Sequence, residues 1–106
     1  MNKTMKFVMI QCVEAHHHNL AHILDQLHIN SYSETEVEGF MKDVEGKKEI
    51  SNWFGSMKRP YRYIISFTFL EEDKAEELIR RVKGFNDSIE TISPMNAYIM
   101  NVEKFV

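Results

Sequence analysis

The chain has 106 residues, enough for one domain with a buried core and too few for two of ordinary size. Its 43% hydrophobic and 27% charged residues match a globular domain, and no apolar run is long enough to span a bilayer. A net charge of −3 argues against a general nucleic-acid binder, which needs a basic surface for phosphates. Neither nucleic acid nor direct membrane insertion is therefore expected. The one cysteine, Cys12, has no internal disulfide partner, and its place in the run FVMIQCV predicts a packed core thiol. A reducing cytoplasm is the expected compartment.

Residues 5–13, MKFVMIQCV, read as a strand that is apolar on both faces. A helix follows, with Leu20, Ile23, Leu24 and Leu27 recurring at i, i+3, i+4, i+7. No capping residue precedes His16, so the helix begins either before the histidine triplet or at Asn19. SYSETEVEG alternates weakly and predicts a half-exposed strand carrying Tyr32 and Val37. From Gly39 to Pro60 the periodicity is lost, and connections of that length are usually functional or disordered. YRYIISFTFL is the strongest strand signal, with Tyr61, Tyr63, Ile65, Phe67 and Phe69 all on one side. A second helix is expected to start at an Asp73 cap with Glu76 in the capping-box position. Ala75, Leu78, Ile79 and Val82 form its stripe, Gly84 is its expected left-handed stop, and Glu76–Arg80 and Glu77–Arg81 are candidate i, i+4 pairs. A turn-rich piece through Pro94 leads to a last strand, NAYIMNVEKF.

The order is βαββαβ, a single α+β domain of the ferredoxin-like type: a four-stranded antiparallel sheet with two helices on one face. The other face is left bare. The first strand is apolar on both sides, and Ile64 and Ile99 are expected to point away from the helices. Self-association best explains a bare apolar face, so a homo-oligomer is expected.

With TEVEGF ending the second strand, a long loop, and a strand leading into EEDKAEELIRRV, the chain resembles the nitrogen regulatory PII superfamily over nearly its whole length. The resemblance implies a homotrimer with sheets facing a central core, small ligands in the clefts between subunits, and no enzymatic activity. It also implies that residues Gly39 to Pro60 form the partner-seeking T-loop, with Gly39 as its entry glycine. Typical members carry a TGxxGDG segment that wraps nucleotide phosphates. Here the corresponding stretch is GFNDSIETISPMN, with one glycine, which tells against standard ATP binding. The loop also has no tyrosine, unlike the uridylylated nitrogen sensors. The chain looks more like divergent PII-like proteins, some of which accompany metal-efflux transporters, so a membrane transporter or another regulated protein is the implied partner. The divalent-ion tolerance family, of the same shape, is a second relative.

His16, His17, His18 and His22 lie within seven positions. At about 100° per residue, His16 falls on the apolar stripe and His17 flanks Leu24, which predicts packed or hydrogen-bonded roles. His18 and His22 sit i, i+4 on the opposite face with Asp25 one turn beyond, the spacing a divalent transition metal needs from its donors. A solvated helix face is the competing reading. His28 is isolated near the helix end, where its charged form would suit the dipole.

In the loop, Trp53 and Phe54 are either folded onto the core or anchors for a partner. Lys47, Lys48, Lys58, Arg59 and Arg62 could meet an anionic ligand or be solvated charge balanced by Asp43, Glu45 and Glu49. No serine, cysteine or carboxylate pair stands in a recognisable catalytic context. The reading is a trimeric PII-like sensor of a small molecule or metal ion, signalling through residues 39–60. A small dimeric ferredoxin-like barrel enzyme of the monooxygenase type is the alternative.

Overall fold

The structure, a computed structural model, describes residues 4–40 and 61–106. All six elements form in the expected order. They are β1 (Met5–Val13), α1 (Glu14–Gln26), β2 (Ser33–Gly39), β3 (Tyr61–Glu71), α2 (Glu72–Ser88) and β4 (Asn96–Asn101). The strands make one antiparallel sheet in the order β2-β3-β1-β4, the ferredoxin-like arrangement. The long connection therefore leaves the sheet at Gly39 and returns at Tyr61, which are paired across the β2–β3 ladder.

Side chains alternate across a strand, so register decides which face each residue joins. Val8, Ile10 and Cys12 of β1 are buried with Leu20, Ile23 and Leu24 of α1 and Ala75, Leu78 and Val82 of α2. Their partners on β3 are Thr68, Ser66 and Ile64, and Ile99 of β4 pairs with Val8. Ile64 and Ile99 thus lie on the helix side, and Ile99 packs against the core. This reverses their expected orientation, because the aromatic set of β3 is the one that faces away. On β3 the helix side instead carries two small hydroxyl residues, Ser66 and Thr68, both buried. Their hydroxyls are satisfied: Thr68 donates to the Ser31 carbonyl at 2.7 Å and Ser66 to Glu34 at 2.8 Å.

The strand β1 runs into α1 without a loop, and Val13 stands at the cap position with no side-chain cap bond. The helix begins at Glu14, so the histidine triplet is helical. Its end is a Schellman motif: the Ile29 N–H reaches the Leu24 carbonyl at 2.9 Å and the His28 N–H reaches that of Asp25 at 3.0 Å. That closure puts His28 in the left-handed region, at φ 60°. Lys74 of α2 adds a donor to the Leu27 carbonyl at 2.8 Å, and Arg81 of α2 bonds Gln26. Arg81 thus bonds across to α1, and the i, i+4 ion pair on α2 is Lys83–Asp87 at 3.0 Å.

The second helix starts earlier and stops later than its sequence signals. Its cap position is Glu71, without a side-chain cap bond, and Asp73 lies in the first turn. The Glu72 N–H instead donates to the Thr4 carbonyl at 3.0 Å, which satisfies one of the orphan donors. Gly84 does not end the helix, which continues to Ser88. Phe85 and Asn86, just beyond Gly84, have partners that hold the extra turn: Phe85 packs on the core, and Asn86 clasps Met95. The last strand ends at Asn101, short of the expected Phe105.

Two substitutions test this backbone. His28→Gly relieves the left-handed conformation and should stabilise by about 1 kcal/mol. Gly84→Ala meets nothing within 4 Å in a helix interior and should gain roughly 0.5–1 kcal/mol. Higher urea midpoints with unchanged slopes are expected for both. A lower midpoint for His28→Gly would mean that the imidazole makes a contact outweighing the strain.

Candidate functional site

The histidines divide by face as their phase predicts. His16 is half-buried, with Nε2 3.1 Å from Thr91 Oγ1 and its ring edge-on to Phe85 at 5.3 Å. His17 Nε2 lies 2.8 Å from Glu34 Oε2. A carboxylate can only accept, so His17 is the donor. His18, His22 and Asp25 are exposed. Among the described residues no group of three or more His, Cys, Asp or Glu could hold a metal ion. A metal on His18 and His22 would need a donor from elsewhere.

The fold assembles a different polar cluster, which sequence reasoning missed. The Glu34 carboxylate of β2 accepts at one oxygen from His17 of α1 and from buried Ser66 of β3. Sequence spacing gives no hint of it, because the three residues come from three elements and meet only through the β2–β3 register, where Glu34 and Ser66 are partners. The cluster ties α1 to the strand that leads into the long connection. The His17 and Glu34 side chains are 33% and 29% exposed, so the pair is partly solvated and contributes less than about 1 kcal/mol. Its chemistry is positional. The Glu34 carboxylate, accepting from both His17 and Ser66, holds the two side chains in place.

The piece between α2 and β4 is clasped shut by side chains. Asn86 donates to the Met95 carbonyl at 2.9 Å and accepts from the Met95 N–H at 3.0 Å. Thr91 Oγ1 accepts from the Ser93 N–H at 3.0 Å. Two backbone donors of the segment are thereby consumed internally, and residues 89–95 contain no glycine. Ile92 projects from this segment, 73% exposed.

The third region is the sheet face away from the helices. Phe7 stands against Phe69 and Phe67 with ring centroids 5.2 and 5.8 Å apart. Met9, Ile65, Tyr63, Tyr98 and Met100 occupy the same side by register. Phe69 and Met100 are 55% and 46% exposed. From β2 to β4 this face carries no charged side chain until Glu71 at its margin, although 27% of the chain is charged.

Gly39 is the buried last residue of β2. Lys47, Lys48, Trp53, Phe54, Lys58 and Arg59 lie outside the described residues. No described helix is long and apolar enough to cross a membrane.

Comparison with known proteins places this architecture. No family model matches the chain, and no curated protein matches its sequence. Solved structures do match over nearly its full length. A nitrogen regulatory PII-like protein, CPII, from Thiomonas intermedia K12, bound to ADP, AMP and bicarbonate, is 15% identical. The match covers 97% of each chain with a TM-score of 0.58. A DUF3240 family protein from Shewanella baltica OS155 is 9% identical over 100% of this chain and 97% of its own, with a TM-score of 0.66. PII from Arabidopsis thaliana, bound to citrate, is 13% identical over 95% of this chain and 79% of its own, also at 0.66. The chain shares the fold of these PII-like structures, at 9–15% sequence identity.

Cys12 gives this region a titration test. Burial, with the Glu34 charge adding to it, pushes the thiol from its ordinary 9.0 up to about 12. Below pH 9 the thiol is neutral in both folded and unfolded chains, and its contribution to stability is complete. As pH rises from 9 towards 12, the unfolded chain releases a proton that the folded chain keeps, so that contribution is lost. Between about pH 8 and about pH 10.5 the parent should lose more stability than Cys12→Ala in urea unfolding. Equal losses would contradict a neutral, buried thiol.

Proposed function

We propose that this chain is a non-enzymatic PII-like regulatory protein that assembles as a homotrimer through its open sheet face. It signals through the connection between β2 and β3. The observation that carries the reading is the uncharged aromatic face. A monomer would leave Phe7, Phe67, Phe69, Met9, Ile65 and Met100 against water, at a cost that burial between subunits removes. A partner selected by charge has nothing to grip there. Identical copies do, because an uncharged apolar surface is complementary to itself. The full-length likeness to PII-like structures supports three copies as the number.

The connection is well placed for signalling, since both of its feet sit on adjacent strands. Movement of its ends would act on β2, which Glu34 ties to α1 through His17. The ligand is a small molecule held where subunits meet. A nucleotide held by its phosphates is a poor fit to residues 89–95, where Asn86 and Thr91 already occupy the Met95 and Ser93 donors. Phosphate wrapping needs such donors free and the backbone approachable.

A native mass spectrum of the protein as isolated tests the reading, since it gives subunit count and retained ligand together. Three copies are expected, with no ATP bound when the nucleotide is added at micromolar concentration. A monomer would overturn the assembly and the regulatory reading with it. Retained ATP would show that the 89–95 segment opens to a phosphate after all.

A further inference from the structure

The uncharged face is not uniformly apolar. One row crosses it at right angles to the strands: Thr35 of β2, Ile65 of β3, Gln11 of β1 and Asn96 of β4 are successive partners. Above it lies Ser33–Phe67–Met9–Tyr98, and then Phe69–Phe7–Met100. Gln11 is half-buried on a central strand, flanked along β1 by Met9 and Val13. Tyr98, from the upper row, donates its hydroxyl to Gln11 Oε1 at 3.4 Å, which already orients the amide. Among the described residues the amide's two N–H donors have no partner, and by register Gln11 lies on the outward face of the sheet.

We propose that Gln11, positioned by Tyr98 and backed by Asn96, is the residue that sets the number and stagger of subunits across this face. The inference rests on the self-association proposed above. An amide carries both donors and an acceptor, so copies of Gln11 or Asn96 brought together by symmetry can satisfy each other. Aromatic and aliphatic side chains pack tolerantly and would accept several arrangements of the sheets. An amide in the same surface accepts only those in which its donors meet acceptors, since a buried unsatisfied one is costly. A single polar residue in an apolar seam specifies register and oligomer number in this way, at a cost in stability.

Two variants test it, both read by native mass spectrometry with circular dichroism as the check on folding. Gln11→Leu removes the selecting group and keeps the volume. It should give a mixture of stoichiometries in place of one, with assembly persisting at greater dilution than in the parent. Gln11→Glu puts like charges where the amides converge. It should dissociate at neutral pH and reassemble as pH falls through the ordinary carboxylate range near 4.3. A single species of parental number from either variant under these conditions overturns the proposal and leaves the self-association reading intact. A monomeric parent overturns both.

Discussion

The β1–β3 ladder is the constraint on which the rest of the structure depends. Its register, from Met5 opposite Glu71 to Val13 opposite Tyr63, assigns every side chain of the two central strands to one of two faces. Val8, Ile10 and Cys12 meet Thr68, Ser66 and Ile64 under the helices, while Phe7 and Met9 meet Phe69 and Phe67 on the open side. A slip of one residue would invert both sets, putting Arg62 on the open face and the phenylalanines into the core. Small hydroxyl residues, Ser66 and Thr68, occupy the helix side of β3, and each hydroxyl is satisfied by an acceptor on β2 or just before it. The bulky side of the strand is thereby left for another surface to cover.

Much of this was legible from residue pattern alone. Apolar alternation placed β1 at Met5–Val13 and marked β2 and β3, and the leucine stripe marked α1. The βαββαβ order then led to the ferredoxin-like sheet and to the PII-like resemblance. What failed was phase and termination. Period two says that Phe67 and Phe69 share a side, but it does not say which side the helices occupy. Only the register shows that Ile64 and Ile99 lie on the helix side. Gly84 carries the signal of a stop, because glycine favours left-handed caps, yet Phe85 and Asn86 gain enough from the core and from Met95 to carry the helix past it. Conversely, a histidine supplies the left-handed turn at the end of α1, where composition pointed to no cap at all.

The polar cluster shows a different limit. Helical phase separated His16 and His17 from His18 and His22, and His16 and His17 do have partners. The identities of those partners, Thr91 and Glu34, depend on contacts between elements far apart in the chain. The same holds for Ser66, which looks like a solvent-side residue until the sheet pairs it with Ile10 and Glu34. Pair spacing along one helix finds what that helix can present, and only tertiary register finds what it meets.

An open face of aromatic side chains without charge is the feature that turns this fold into a functional reading. It accounts for the composition of β3, for the confinement of charge on that side of the four strands to Glu71 at the margin, and for the polar row that interrupts it. Sedimentation velocity of Phe67→Asp beside the parent is the most direct test, because the substitution adds charge at the middle of the face and leaves the helix-side core untouched. The account predicts a parent that sediments as a trimer and a variant that sediments as a folded monomer. A variant that sediments with the parent, its far-ultraviolet dichroism unchanged, would contradict the burial of this face between subunits.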